Sequence, residues 1–131
     1  MSNGVDSEYG ESVEAEIAAL RDGDILLERF GGDRVVMREV VGEIINAICV
    51  EREAFCSAIE HCADPSAFAA RVHDLASSLS PIGLPLLSRR CIEVELMFKR
   101  GEQDKARDGL AELERNLGEL EEALRTVQSA Q

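Results

Sequence analysis

One histidine, His73, is the side chain in this sequence best suited to react with another molecule. It lies in the stretch AARVHDLASSLSPIG, residues 69–83, where alanine and serine surround it. A neutral imidazole nitrogen is abundant near neutral pH, and it can accept a group covalently and release it again. Its function therefore depends on whether the ring is buried in a helix core or displayed to a partner.

The spacing of apolar residues predicts that His73 is exposed. Apolar residues recur at intervals of four, three and four, which places them on one helix face: Phe68, Val72, Leu75 and Leu79. At about 100° per residue, His73 lies roughly 130° from the middle of that face, toward solvent. Small side chains are expected around it: Ser66, Ala69, Ala70, Ala76, Ser77 and Ser80. Because a flat surface lets another protein's backbone approach closely, we expect a docking face here.

The local sequence lacks the other groups that hydrolytic catalysis needs. A catalytic triad requires a nucleophile and an orienting carboxylate that converge on the histidine in a pocket. Ser77 lies one turn away on an open face without an oxyanion hole, and Asp74 is expected to point elsewhere. With two histidines in the chain, a multi-histidine metal centre is excluded. The pattern indicates a carrier whose partner supplies the catalysis, rather than an enzyme.

The cysteines do not indicate a metal site. None of the four forms a Cys-x-x-Cys pair: Cys49, Cys56, Cys62 and Cys91. Zinc ligation would need paired spacing and further ligands. We expect buried free thiols that pack as small hydrophobic side chains.

Helical periodicity runs through almost the whole chain, and no segment alternates as a strand does. One or two short helices are predicted near residues 13–30, and four longer ones follow. The first two of these span 34–62 and a segment that begins at Asp64 and Pro65 and ends at Pro81. The last two run from residue 84 or 85 to 100 and from 103 to 127. Four long helices with short connections predict an all-α fold, an antiparallel four-helix bundle with the short N-terminal helices covering one end. Residues 1–12 are expected to form a disordered acidic tail, before a single domain over 13–131.

The last helix carries a heptad-like seam. Its apolar residues recur every three or four positions: Leu110, Leu113, Leu117, Leu120, Leu124 and Val127. A coiled-coil dimer through this seam is one interpretation. Because the chain supplies three other long amphipathic helices, we expect burial within the chain, and a monomer.

Charge and hydropathy indicate which partners and which cellular compartment to expect for the chain. Its formal net charge of −12 repels phosphate backbones and anionic lipids, so nucleic acid and membranes are not expected partners. No apolar run approaches the roughly 18 residues of a membrane-spanning helix. The polar, acidic N-terminus does not resemble a signal peptide. We therefore expect a cytoplasmic protein whose partner is another protein.

The region around His73 resembles the histidine-containing phosphotransfer (HPt) domain of bacterial phosphorelays. The family motif is His-x-Leu-Lys-Gly-small, followed by a glycine ten residues after the histidine. The segment HDLASSLSPIG matches it at His73, Leu75, Ser78 and Gly83. Further matches are LLERFGGD at 26–33, ADPSAF before the motif, and CIEVELMFKRGEQ after it, with Val94, Glu95, Arg100 and Gly101 in place. The resemblance covers residues 20–128.

The resemblance implies the function of a phosphoryl carrier. Such domains accept a phosphoryl group on the histidine from an aspartyl phosphate of a receiver domain, or from a histidine kinase. They pass it to another receiver aspartate. The receiver domain brings Mg²⁺ and an acidic pocket, so no cofactor is expected on this chain. Transfer is mostly positioning and charge neutralisation, and needs little beyond an exposed nucleophile and a docking face.

The motif departs from the family pattern at two positions. Ala76 stands where the family has a lysine that neutralises phosphoryl charge, and Ser77 where it has a glycine. Loss of the lysine is expected to weaken phosphohistidine stabilisation or to slow transfer. Three arginines near the motif are the candidates for replacing that positive charge: Arg71, Arg89 and Arg90.

Two other interpretations of the sequence stay open. In the first, the fold and docking face persist without useful transfer, and the chain docks or sequesters a receiver domain or kinase. In the second, the chain is a helical scaffold or dimer unrelated to phosphotransfer. The phosphotransfer interpretation differs from both because it requires the imidazole of His73.

Overall fold

Six α-helices and one 3₁₀ turn make up the part of the chain that the computed structural model describes. This part is residues 12–61 and 65–130, without the side chains of His61, Pro65 and Ser66. Two short helices come first, α1 at Val13–Ala19 and α2 at Gly23–Arg29. Four longer ones follow: α3 at Arg34–His61, α4 at Pro65–Ser78, α5 at Pro85–Lys99 and α6 at Gln103–Ala130. The described residues contain no β-strand, so the predicted all-α fold is confirmed for them.

Local sequence signals set the boundary between α2 and α3. Gly31 and Gly32 have φ angles of 65° and 79°, a backbone conformation that glycine adopts without steric cost. The Gly32 amide donates back to a carbonyl of α2 at 2.8 Å and so ends that helix. The Asp33 carboxylate accepts hydrogen bonds from the Val35 and Val36 amides, both at 3.1 Å. Asp33 is therefore the N-cap of α3, as predicted.

The helix that carries His73 ends before Pro81, as predicted. α4 stops at Ser78, and a 3₁₀ turn at Ser80–Ile82 leads toward α5. The predicted tail up to residue 11, Cys62 and the predicted N-cap Asp64 lie outside the described residues. None of the described helices has both the length and the apolar character that crossing a bilayer requires.

The four long helices share one hydrophobic core. α4 packs on α5, α3 packs on α6, and α5 and α6 pack on each other. The seam of α6 is buried within the chain, which confirms the prediction, since each of its residues is 0–1% exposed: Leu110, Leu113, Leu117, Leu120, Leu124 and Val127. These contacts are compatible with the predicted four-helix bundle.

Three phenylalanine rings from three helices form a row through this core. The ring centroids of Phe55 on α3 and Phe68 on α4 are 6.4 Å apart. Those of Phe68 and Phe98 on α5 are 6.3 Å apart, within the range of stabilising aromatic pairs. Phe55 is fully buried, whereas Phe98 is half-buried and reaches the surface near His73. The row therefore connects the core of α3 to the surface around the histidine.

A glycine on α6 allows α5 to pack closely against it. A Cβ atom on Gly109 would lie 2.8 Å from Cγ2 of Val94, closer than carbon atoms pack. Glycine inside a helix costs about 1 kcal/mol relative to alanine. Because a larger residue would push the helices apart, Gly109 fixes how closely α5, which carries Glu95, packs on α6.

The two short helices hold the segment between α4 and α5. The carboxylate oxygens of Glu16 on α1 accept hydrogen bonds from the amides of Leu86 and Leu87, at 2.9 and 3.0 Å. These amides lie in the first turn of α5, which offers them no internal acceptor, and negative charge is favourable there. Arg29 on α2 donates to the carbonyl of Ile82 in the 3₁₀ turn. The start of α5 is therefore fixed by side chains from α1 and α2.

The cysteines are less uniformly buried than predicted. Cys91 is buried in α5, and this burial raises the pKa of its thiol to about 12, so the thiol stays protonated. Cys49 is half-buried. Cys56 is exposed, and the prediction of burial is wrong for it. The reason is that Phe55 occupies the core position, and the next residue on a helix lies about 100° around the axis.

Candidate functional site

His73 projects from α4 into solvent, with 64% of its side chain exposed. Its Nδ1 atom lies 3.2 Å from Oε1 of Glu95 on α5. The Glu95 side chain is 10% exposed, so a nearly buried carboxylate contacts an exposed imidazole. The pairing with Glu95 was not predicted from the sequence.

Glu95 is a carboxylate on the apolar stripe of α5. It follows Cys91 by four residues and Val94 by one, and all three are buried. A buried charge is costly unless it is paired. Here the partners are His73 and Lys99. In the sequence, a charged residue at a position of the apolar helix face indicates that it has a buried partner, and this is the signal that could have predicted the contact between Glu95 and His73.

Lys99, one helical turn after Glu95, forms an ion pair with the second oxygen of the same carboxylate. Its Nζ atom lies 2.7 Å from Oε2. The hydrogen bond from Lys99 is the largest cause that lowers the pKa of Glu95 below its ordinary value of 4.5. Burial opposes this shift, and the hydrogen bond with His73 adds to it. Glu95 is therefore ionised at neutral pH.

The ionised carboxylate determines which nitrogen of His73 can react. Because a carboxylate only accepts hydrogen bonds, its contact with the ring requires a proton on Nδ1. In the neutral ring the lone pair then belongs to Nε2. This nitrogen lies on the side of the ring away from Glu95, and the exposure of the side chain leaves it accessible.

Removing the carboxylate is expected to change the tautomer of the His73 ring. In Glu95→Ala the Nδ1 proton loses its acceptor, so the ratio of Nδ1–H to Nε2–H forms should fall by about fivefold, as expected from losing a net hydrogen bond of about 1 kcal/mol. The ring ¹⁵N chemical shifts measure this ratio. Glu93→Ala, an exposed glutamate on the same helix, is the control and should leave it unchanged. An unchanged ratio in Glu95→Ala would contradict the assigned tautomer.

Two open pockets border His73, one toward each end of α4. The Lys99 pocket has a volume of about 620 Å³ and is lined, besides the histidine, by Ala69, Ala70, Asp74, Glu95, Phe98 and Lys99. The Ile92 pocket has a volume of about 450 Å³, and its lining includes Ala76, Ser77, Ser80, Pro85, Ser88 and Ile92. Charged side chains line the first pocket, and none lines the second. Asp74 borders the Lys99 pocket, and the hydrogen-bond partner of the imidazole is Glu95.

The small residues predicted around His73 differ in exposure. Three are exposed: Ala70, Ser77 and Ser80. Ala76 is half-buried and packs against the core. Ala69 is only 4% exposed, so its predicted exposure is wrong. The reason is that α5 packs against that edge of α4, and Ala69 lines the Lys99 pocket with Phe98. The side chain of Ser66 lies outside the described residues.

Two large apolar side chains that were not predicted from the sequence are exposed on α5. Ile92 is 51% exposed and Leu96 is 39% exposed, and they lie one turn apart on α5. Ile92 borders the same pocket as Ser77 and Ser80. Large exposed apolar side chains beside small ones give a surface that a protein partner can bury.

Two of the arginines predicted to supply charge are paired elsewhere. Nε of Arg71 lies 2.6 Å from Oε1 of Glu51 on α3, because residues two positions apart on a helix face different sides. Nη1 of Arg90 lies 2.8 Å from Oδ1 of Asn116 on α6. Arg89 is exposed and lines neither pocket beside the histidine. Arg71 and Arg90 therefore contact residues other than His73 in this structure.

Comparison of the chain with protein-family models, with curated proteins and with solved structures gives no match. Among the described residues, no group of three or more His, Cys, Asp or Glu side chains is arranged to hold a metal ion. A functional proposal therefore depends on the chemistry of His73 and its neighbours.

Proposed function

We propose that this chain is a histidine phosphotransfer protein of a two-component phosphorelay. His73 accepts a phosphoryl group on Nε2 from an aspartyl phosphate of a receiver domain, or from a histidine kinase, and passes it to another receiver aspartate. The observation that carries the proposal is the exposed imidazole whose Nδ1 contacts ionised Glu95 at 3.2 Å, which leaves Nε2 as the nucleophile. The resemblance of HDLASSLSPIG to the HPt motif and the all-helical fold support it.

The transfer step requires little from the chain itself. The Nε2 lone pair attacks phosphorus, the bond from phosphorus to the aspartate oxygen breaks, and the aspartate leaves as a carboxylate. The proton stays on Nδ1, so the ring becomes an imidazolium that the charge of Glu95 stabilises. In onward transfer the electrons of the N–P bond return to Nε2. The receiver domain supplies Mg²⁺ and the acidic pocket, so the chain is a carrier rather than an enzyme.

The proposal includes an arrangement of α3–α6 as an antiparallel four-helix bundle that displays His73. Burial of the α6 seam and the packing of α4 on α5 support it. A receiver domain docks over α4 and α5, where Ser77 and Ser80 permit close approach and Ile92 and Leu96 offer apolar contact. In this proposal the chain acts as a cytoplasmic monomer.

Phosphoryl transfer from isolated receiver domains tests the proposal. The receivers of the source genome are phosphorylated with a radioactive label and mixed one by one with the full chain. We expect label to move to this chain from at least one receiver, to be labile in acid and stable in alkali, and to map to His73 by mass spectrometry. Transfer from no receiver, or a phosphoryl group on another residue, would contradict the proposal.

A second candidate is a binding module that docks or sequesters a receiver domain or kinase. Ala76 at the position of the motif lysine favours it, because no charged side chain lines the Ile92 pocket. The two candidates make different predictions for a variant without the imidazole. If His73→Gln kept both partner binding and cellular function, the binding module would be supported.

A further inference from the structure

A phosphoryl group on His73 would add negative charge to a site that already contains two carboxylates. Asp74 is exposed on α4 and borders the Lys99 pocket, and Glu95 lies against the imidazole ring. A phosphoryl group carries between one and two negative charges at neutral pH, and it is repelled by the like charges of nearby carboxylates. Holding the group on His73 therefore requires a cation close to the ring.

Lys99 is the cation in the right position. Its Nζ lies 2.7 Å from one oxygen of Glu95, whose other oxygen lies 3.2 Å from the His73 ring, so a single carboxylate links the ammonium to the imidazole. Both side chains line the same pocket. The Lys99 side chain is exposed over more than half of its surface, so it can change partners without losing much packing.

We infer that Lys99 takes the place of the missing motif lysine by exchanging its contact with Glu95 for the phosphoryl oxygens when His73 is phosphorylated. This inference rests on the proposed phosphotransfer function. Phosphorylation creates a positive ring and a negative phosphoryl group. Glu95 keeps its hydrogen bond from the Nδ1–H of the positive ring, and Lys99 pairs with the phosphoryl oxygens, so each new charge has a partner.

The position of Lys99 affects the docking surface as well. A lysine at Ala76 would stand at the Ile92 pocket, whereas Lys99 lines the pocket on the other side of His73. The lining of the Ile92 pocket therefore stays free of charged side chains. In this arrangement charge neutralisation and docking use different sides of the histidine.

Phosphoramidate tests the role of Lys99 without a partner protein. The Nε2 lone pair attacks its phosphorus and ammonia leaves, so the full chain becomes phosphorylated on His73. The half-life of the phosphohistidine is followed by ³¹P NMR at neutral pH. We expect a half-life about threefold to fivefold shorter in Lys99→Ala, as for loss of a partly exposed ion pair. Lys99→Arg, which keeps the charge, should stay close to wild type.

Lys105→Ala is the matched control. Lys105 also forms an ion pair with a glutamate near it in sequence, with Nζ 3.5 Å from Oε2 of Glu102, but it lines neither pocket beside His73. Its loss should leave the half-life unchanged. Adding Ala76→Lys to Lys99→Ala should restore the half-life, a rescue that a merely structural role of Lys99 would not give.

The outcomes separate this inference from the proposed function. An unchanged half-life in Lys99→Ala would overturn the role of Lys99 and leave the proposed phosphotransfer intact. A shortened half-life in Lys99→Ala, together with no transfer from any receiver, would support the role of Lys99 and overturn the carrier function.

Discussion

His73→Gln is expected to abolish phosphoryl acceptance by this chain while leaving its fold unchanged. Glutamine can still hydrogen-bond to Glu95, but its amide provides no nucleophilic nitrogen. Because the His73 side chain is largely exposed, the free energy of unfolding should change by less than about 0.5 kcal/mol. Label transfer from a phosphorylated receiver measures the first effect, and urea unfolding followed by circular dichroism measures the second.

The other histidine in the sequence provides the control. His61→Gln removes an imidazole from the same chain and should accept label at the wild-type rate. Label that persists in His73→Gln, or that disappears in His61→Gln, would refute the assignment of His73 as the acceptor. Receiver binding, measured by calorimetry, should persist in both variants because the docking surface is unchanged.

Phe55→Ala is expected to destabilise the protein by about 3–5 kcal/mol, the usual cost of removing a buried aromatic ring. Phe55 is fully buried and lies at one end of the phenylalanine row, so its loss leaves a cavity beside Phe68. The change should lower the midpoint of urea unfolding without altering the slope, because the surface exposed on unfolding is nearly the same.

Two further substitutions on α3 provide comparisons for the loss of stability in Phe55→Ala. Val50→Ala, at a residue that is 56% exposed, should cost less than about 0.5 kcal/mol. Phe55→Leu, which leaves a smaller cavity, should fall between this value and that of Phe55→Ala. If Phe55→Ala cost no more than Val50→Ala, the row of rings would make no contribution to the core.

The features predicted correctly from the sequence are those with local causes. Asp33 caps α3 through amides two and three residues away, and glycines end the helix before it. The ring of His73 is exposed because its own helix sets the apolar face. The burial of the α6 seam follows from the same periodicity. In each case the cause lies within a few turns of one helix.

The features that were missed depend on how one helix lies against another. Glu95 is 22 residues from His73, and their contact requires a particular rotation and register of α5 on α4. The burial of Ala69 comes from the same packing, and Arg90 turns toward α6 for the same kind of reason. Such contacts leave only indirect signals in a single sequence, like a carboxylate on an apolar stripe.

The hydrogen bonds of Glu16 bear on where the folded unit begins. The segment LLERFGGD starts at Leu26, yet the first turn of the helix that carries Glu95 is capped by Glu16, ten positions earlier. A fragment cut at Leu26 would contain every motif residue but would leave the amides of Leu86 and Leu87 without their acceptor. The folded unit therefore begins upstream of LLERFGGD, and a fragment that started at Leu26 would begin too late.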